Sequence, residues 1–227
     1  QGVGASSGST ISSTSASDTA MDGVRVFRSY PTVALDTLTG SGVSDGRLMR
    51  FRVTANSAGD IGIAKFLFTI ATSSATVSNV NLFAYTDSSY SQAISGVSSN
   101  GQLMVSNQTP AGTIPQTVAM YAQTTGSATT TIQVPAGATR YFELRGVVAA
   151  VGSATSFSVS TTLNGDSSYP SIASFMAAEP TVDGGSSRSF IWSPNATTSS
   201  LVSHVDWTNG FGLAGLPSSG LINTRTN

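Results

Sequence analysis

The sequence contains no cysteine and only one lysine, Lys65, and these absences exclude several kinds of site. Without cysteine the chain has neither disulfides nor thiolate metal ligands. Charged residues make up 9% of the chain and the formal net charge is −1, whereas a nucleic-acid-binding protein needs several lysines or arginines to contact phosphates. No apolar run reaches the roughly 18 residues of a membrane-spanning helix. We therefore predict neither a nucleic-acid partner nor a membrane span.

The most abundant side chains carry hydroxyl groups, because serine and threonine account for 68 of the 227 residues. Protein surfaces usually stay soluble through charge, so a hydroxyl-rich surface with few charges tolerates dense packing of copies against each other. This composition favours a subunit of a lattice or filament, although a glycan coat on the hydroxyls would fit it as well. Because the chain begins with Gln1, we expect a processed extracellular protein at the cell surface.

Short runs of β-branched and aromatic residues alternate with turn residues, a pattern that predicts strands. From Phe157 to Leu163, larger residues alternate with serine and threonine, as in a strand with one buried face. Between Ile63 and Phe66 the apolar residues switch parity, which indicates a bulge or burial on both faces. The predicted strands lie near 24–30, 47–55, 61–71, 77–86, 102–106, 116–123, 129–134, 140–149, 155–163, 172–176 and 188–192.

No segment combines a helical period with caps, so the fold class is all-β. Many short strands without intervening helices predict an antiparallel Greek-key (immunoglobulin-like) β-sandwich. We divide the chain into a flexible or extended N-terminal arm (1–22), a β-sandwich body (23–189) and an irregular C-terminal tail (190–227). The tail is expected to pack back on the body through its aromatic residues.

The residues that could carry catalysis are sparse. His204, the only histidine, is close to Asp206 and several serines, but a catalytic triad needs a three-dimensional relay and the chain has no G-x-S-x-G elbow. The only glutamates are Glu143 and Glu179, and Glu143 lies in a predicted strand beside Arg145, where an ion pair is the simplest expectation. We predict no catalytic residues and no enzyme activity.

No cofactor or metal ligands are predicted, and a structural calcium site is the one alternative left open. Calcium needs clustered oxygen ligands, and no EF-hand loop is present. Asp18 with Asp22, Asp60, or the turn that begins at Asp183 could contribute ligands. A turn explains an aspartate before glycine equally well.

Four arginines and three aromatic residues are candidates for contacts between subunits. Arg50 and Arg52 project from one face of the same predicted strand. They either pair with carboxylates on neighbouring strands or contact an acidic neighbour or a carboxylated cell-wall glycan. The candidate interface residues are Arg25, Arg28, Arg50, Arg52, Trp192, Trp207 and Phe211.

Two further surface features concern glycans. The N-x-[ST] tripeptides at Asn107 and Asn195 are candidate glycosylation sites. Exposed tyrosines can stack on sugar rings, or can be ordinary strand-edge residues with the hydroxyl in water. The tyrosines considered are Tyr85, Tyr90, Tyr121 and Tyr169.

Five stretches of the sequence carry a family resemblance. They are VRVFRSYPTVAL, LMRFRVTANSAGDIGIAKFLFTIATSSATVSNVNLFAY, PAGATRYFELRGVV, and the tail pair FIWSPNATTSS and DWTNGFGLAGLP. They resemble the β-sandwich cell-surface proteins of candidate-phyla bacteria of the Parcubacteria type. The resemblance spans roughly residues 23–217. It implies a secreted structural role at the cell surface and no known activity.

Composition and pattern together predict an extracellular structural subunit that assembles with copies of itself into a surface layer, S-layer, pilus or other filament. Subunits would join by strand or arm exchange, because strand addition satisfies exposed backbone groups and tolerates many side chains. The alternative is a carbohydrate-binding or adhesive module with cell-wall or surface glycans as partners.

Overall fold

The computed structural model describes residues 2–3, 10–11, 26–38, 40, 42–110, 115–123, 129–168, 188–195 and 207–227. Among them the only helical element is the 3₁₀ turn Val43–Asp45. The strands are β1 (Gly2–Val3), β2 (Thr10–Ile11), β3 (Pro31–Leu35), β4 (Arg47–Ala55), β5 (Ile61–Ser73), β6 (Ala75–Tyr85), β7 (Gln116–Met120), β8 (Ala122–Gln123), β9 (Thr129–Thr130), β10 (Ile132–Val134), β11 (Thr139–Ala150), β12 (Ser158–Leu163), β13 (Phe190–Ser193) and β14 (Leu221–Thr226).

Two antiparallel sheets form the sandwich, which confirms the predicted all-β class. Sheet I has the strand order β3-β4-β11-β6. Sheet II has the order β10-β5-β12-β14, and β7 and β13 also pair with β5. β10 and β7 follow one another along one edge of β5, while β13 and β12 follow one another along the other. The immunoglobulin-like Greek-key connectivity stays a prediction.

A cluster of phenylalanine rings joins the two sheets. Phe51 and Phe142 of sheet I are stacked, with ring centroids 5.0 Å apart. Phe66 of sheet II meets both of them edge-on, at 5.3 and 5.0 Å, and meets Phe190 at 5.2 Å. All four side chains are fully buried. Each buried phenylalanine contributes about 1.5–3 kcal/mol by burial, and edge-to-face pairs add about 0.5–1.5 kcal/mol each.

The parity switch in β5 is a β-bulge. Ile191 of β13 pairs with Lys65, but the next residue, Trp192, pairs with Ile63, so Ala64 is the extra residue. Ala64 joins a small apolar cluster that is separate from the main core. The bulge therefore lets β5 bury Ile63 and Phe66 in the same core, as the sequence predicted.

Some strands differ from prediction. Residues 26–30 of the strand expected at 24–30 form no strand, and β3 begins at Pro31. Residues 102–106 hold a single isolated bridge, between Gln102 and Phe83. The tail was expected to be irregular, but it supplies the regular strands β13 and β14 as well as loops. Alternation in LINTRT is weak, so β14 was not predicted. The strand predicted at 172–176 lies outside the described residues, and within the arm β1 and β2 pair with each other.

Candidate functional site

The outer edge of β14 is the first candidate surface. The Asn227 amide donates to the Phe157 carbonyl at 3.0 Å. Together with the register of β12 and β14, this bond shows which residue pairs of the two strands are hydrogen-bonded to each other. By the alternation of an antiparallel pair, the backbone groups of Ile222, Thr224 and Thr226 point away from β12. Within the described part of the chain, no backbone hydrogen bond reaches these outward groups.

Inward-facing side chains hold β14 rigidly against sheet I. The Asn223 side-chain amide donates to the Leu48 carbonyl at 2.8 Å. The Arg225 guanidinium donates to the Arg47 carbonyl at 2.6 Å and to Asp45 Oδ1 at 2.5 Å. Burial acts to raise the pKa of Asp45, but the hydrogen bonds from Arg225 and the Arg47 amide outweigh it and lower that pKa. These bonds use carbonyl groups of β4 beyond the end of β3.

Three other edge strands, β3, β6 and β13, form hydrogen bonds with the chain's own loops. The Val33 amide of β3 donates to the Ala214 carbonyl at 3.0 Å. Val80 of β6 exchanges two hydrogen bonds with Gln108, at 2.6 and 2.8 Å. Further bonds at 2.9 and 2.7 Å join β13 to the loop before β14. The open edge of β14 therefore contrasts with three edges that are protected in the usual way.

A cluster of arginines on the outer face of sheet I is the second candidate surface. Its centre is Glu143, whose side chain is completely inaccessible. Arg50 is its cross-strand neighbour, and Arg50 Nε lies 2.5 Å from Glu143 Oε2. Arg145 Nε bonds the other carboxylate oxygen, and Arg47 Nε lies 3.9 Å from that oxygen. The expected ion pair of Glu143 is present.

Asp36 forms the second half of the cluster. It makes a salt bridge with Arg52 and accepts a hydrogen bond from the Tyr90 hydroxyl at 2.9 Å. The Arg50 guanidinium carbon lies 3.9 Å from the centroid of the Tyr90 ring. These groups surround a cleft of about 300 Å³. Its lining residues are Asp36, Thr37, Arg50, Arg52, Ser88, Tyr90 and Tyr141.

The loop after β6 positions Tyr90 over this cleft. Tyr90 has a positive φ of 58°, which is uncommon for a residue with a side chain. The Asp87 carboxylate braces the loop by accepting hydrogen bonds from Ser89, Ser91 and Gln92. Burial raises the pKa of Tyr90 to about 12, although the Arg50 charge opposes it. Tyr90 therefore stays a neutral hydrogen-bond donor.

Buried groups anchor the C-terminal tail. The Asp166 carboxylate accepts backbone hydrogen bonds from Ser189 at 2.7 Å, Phe190 at 3.2 Å and Gly210 at 2.8 Å. Trp192 Nε1 donates to the Asn209 carbonyl at 2.8 Å. One carboxylate thus ties the end of β12 to β13 and to the loop before β14.

The predicted interface residues have different environments. Trp192 and Trp207 are each 1% exposed, so their side chains stabilise the chain itself, while Phe211 is 44% exposed. Arg28 is exposed and its Nε donates to the Ala58 carbonyl at 2.9 Å. Arg50 and Arg52 both have carboxylate partners, as the first of the two interpretations expects. Arg25 lies outside the described residues.

The glycan-related residues are also distributed unevenly. Asn107 is exposed and accepts a hydrogen bond from the Asn81 side chain at 2.9 Å. Asn195 is half-buried, and its Nδ2 donates to Gln133 Oε1 at 2.8 Å. Of the tyrosines considered for sugar stacking, Tyr85 and Tyr90 are buried, Tyr121 is half-buried, and Tyr169 lies outside the described residues.

Two absences concern the described residues alone. They contain no group of three or more histidine, cysteine, aspartate or glutamate side chains that could hold a metal ion. No helix in this part of the chain has the length and hydropathy needed to cross a membrane. His204, Asp206, Glu179, Asp18, Asp22 and Asp183 are not among these residues.

Sequence reasoning missed Asp36 and the edge strand β14. It considered Tyr90 only as an exposed tyrosine that could stack on a sugar. Asp36 and Tyr90 are 54 positions apart, and no local motif links them. Comparison of the chain with protein-family models, with curated proteins and with solved structures gives no match.

Proposed function

We propose that this chain is an extracellular structural subunit of a surface layer or filament, and that copies join by strand addition at the open edge of β14. The observation that carries the proposal is the row of outward backbone groups at Ile222, Thr224 and Thr226. An exposed edge strand is a template for pairing with another chain, because each added strand satisfies its amides and carbonyls.

The state of β14 before association supports this function. Asn223 and Arg225 fix the strand to β4, so pairing requires little additional ordering of this edge. Inward-pointing charges can protect an edge strand, but the Arg225 charge is already satisfied by Asp45 and by a backbone carbonyl. Ile222 is 57% exposed on the outer face and offers apolar area to a neighbour.

The N-terminal arm, residues 1–22, is the proposed donor strand. A contact between the arm of one copy and β14 of the next is head-to-tail and gives an open assembly. Pairing of β14 with β14 of a second copy would instead close as a two-fold dimer. Deletion of residues 1–20 separates these arrangements, because it abolishes the first and leaves the second.

A carbohydrate-binding or adhesive module is the second candidate. Tyr30 and Phe211, each 44% exposed, line one groove of about 420 Å³. Phe27 and Trp192, whose ring centroids are 5.1 Å apart, line the same groove. Aromatic side chains of this kind can stack on sugars, and an adhesive module of this design would remain monomeric.

The test compares two variants that each gain one positive charge, one at the β14 edge and one on the other sheet. Ile222→Lys places lysine beside the outward groups of β14, where it opposes edge-to-edge pairing. Val147→Lys is the matched control, since Val147 lies on β11 of sheet I, where it pairs with β6, and is 55% exposed, close to the 57% of Ile222. We expect sedimentation to give assemblies for wild type and Val147→Lys, and monomers for Ile222→Lys. Assemblies of equal size from all three proteins would reject the β14 edge.

A further inference from the structure

We propose that the cleft above Arg50 and Arg52 binds a carboxylated sugar, with the guanidinium groups recognising the carboxylate. This site lies on the outer face of sheet I, whereas β14 is the edge strand of sheet II. The inference therefore does not depend on assembly. It would give the subunit a contact with an anionic polysaccharide.

The charge distribution around the cleft favours an anion. Arg50 and Arg52 line the cleft. Together with Arg145, which contacts Glu143 but does not line the cleft, they share the carboxylates of Glu143 and Asp36. The cluster thus retains at least one positive charge. In a chain with only ten cationic side chains, this concentration of arginines is the main basic feature of the described residues.

The same groups differ in accessibility, and the difference places the positive charge at the surface. The Glu143 side chain is 0% exposed, and those of Asp36 and Arg50 are 15% and 14% exposed, whereas the Arg52 side chain is 43% exposed. Incoming ligands therefore meet the Arg52 guanidinium before they meet the carboxylates. A planar guanidinium can hold a carboxylate with two parallel hydrogen bonds, which a lysine cannot do.

The remaining lining residues suit a sugar ring. Tyr141, the cross-strand neighbour of Arg52, is half-buried and presents part of its ring to the cleft. The hydroxyl groups of Thr37 and Ser88 are both exposed beside it. A volume of about 300 Å³ is at the lower end of ligand pockets, so we assign it a single sugar unit.

The cleft is held in shape before any ligand arrives. Tyr90 meets Tyr85 and Tyr141 edge-on, with ring centroids 5.8 and 5.9 Å apart. Its positive φ persists because the Asp87 hydrogen bonds fix the loop. Strained residues held in this way are concentrated at ligand sites, and a rigid site loses less entropy on binding.

The probe for this proposal is D-glucuronate, titrated into the full-length chain and followed by NMR chemical-shift changes. D-Glucose is the uncharged control, and inorganic sulfate is the control for a plain anion. We expect saturable shifts with glucuronate that weaken as salt rises. The titration is repeated on Ile222→Lys, so that assembly of the wild type does not affect the result.

Three substitutions locate the site. Arg52→Gln removes one charge-assisted hydrogen-bonding group, whose contribution of roughly 1.5–3 kcal/mol corresponds to about ten- to a hundredfold weaker binding. Arg28→Gln removes an exposed arginine outside the cleft and is expected to leave binding unchanged. Equal binding of glucose or of sulfate, equal binding by Arg52→Gln, or no saturable binding at all would overturn the proposal. Arg52→Lys keeps the charge but loses the two parallel N–H donors of the guanidinium, and should bind with intermediate strength.

Discussion

The Arg50 Nε atom lies 2.5 Å from Oε2 of Glu143, although no part of the Glu143 side chain reaches solvent. A buried carboxylate of this kind is stable only when its charge and its oxygen atoms are paired. Arg145 completes the pairing at the other oxygen. This pair forms a polar layer on the outside of sheet I, beneath the loop that carries Tyr90.

Replacing Glu143 tests that layer. Glu143→Gln leaves the guanidinium groups of Arg50 and Arg145 without their carboxylate, and we expect a loss of about 3 kcal/mol in the free energy of unfolding. Urea denaturation measures it. A double-mutant cycle tests the pairing of Arg50 with Glu143. The loss in the double variant Arg50→Met/Glu143→Leu should be smaller than the summed losses of Arg50→Met and Glu143→Leu, because the double variant leaves neither partner unpaired. Strict additivity would contradict a direct pairing.

The loss of folding stability at low pH should depend on Asp87. Burial acts to raise the pKa of this carboxyl, but hydrogen bonds from Ser89, Gln92 and Ser91 outweigh it, and the pKa lies far below its usual value. Its stabilising contribution is therefore complete above about pH 4 and is lost as the pH falls through the lower folded-state pKa. The stability difference between wild type and Asp87→Asn should shrink between pH 7 and pH 2.5. Denaturation at both pH values checks this, and a constant difference would contradict it.

Asp166 should control the attachment of the tail. Asp166→Asn replaces one acceptor oxygen with an amide that faces the donors on Ser189, Phe190 and Gly210. We expect a loss of about 2–3 kcal/mol and faster hydrogen exchange at Phe190 and Gly210. Ser167→Ala, at the exposed neighbouring position, is the control. A change below about 0.5 kcal/mol in Asp166→Asn would place it in the range of ordinary surface substitutions.

Substitutions at two glycines distinguish the effect of backbone strain from the effect of steric overlap at the covered edge of β3. Gly212 and Gly215 have similar positive φ values of 74° and 80°. A Cβ at Gly212 would meet no atom within 4 Å, whereas one at Gly215 would overlap the Val33 carbonyl oxygen. We expect Gly212→Ala to cost about 1 kcal/mol and Gly215→Ala to cost clearly more and to expose β3. Thermal unfolding compares them, and equal losses would contradict the close approach.

Much of the strand pattern could be predicted from sequence because alternation is a local signal. β4 occupies the predicted range, 47–55, and β5 contains the predicted bulge. The strand predicted at 24–30 ends just before Pro31, whereas β3 begins at that residue, because a proline is tolerated as the first residue of an edge strand. In β14 the sequence LINTRT has few apolar residues, since its inward positions hold Asn223 and Arg225, which bind carbonyls of β4 instead of entering the apolar core.

The arginine cleft could be anticipated only in part. The common face of Arg50 and Arg52 follows from strand periodicity, and so does the expectation of carboxylate partners. Strand periodicity does not identify Asp36 as the partner of Arg52. Asp36 comes from the end of β3, and Tyr90, which donates to it, comes from a loop 54 positions later. Only the pairing of β3, β4 and β11 brings these residues together. Trp192 follows the same logic, since its Nε1 donates to the Asn209 carbonyl of the loop before β14.

The most direct test of the central claim is electron microscopy of the wild type beside Thr224→Pro and Thr224→Val. Proline removes the outward amide of β14 and leaves the ladder with β12 intact, which an edge strand tolerates, while valine keeps that amide. We predict ordered filaments or sheets from wild type and Thr224→Val, and dispersed monomers from Thr224→Pro with its circular dichroism spectrum unchanged. Monomers from all three proteins, or equal assemblies from all three, would contradict strand addition at β14.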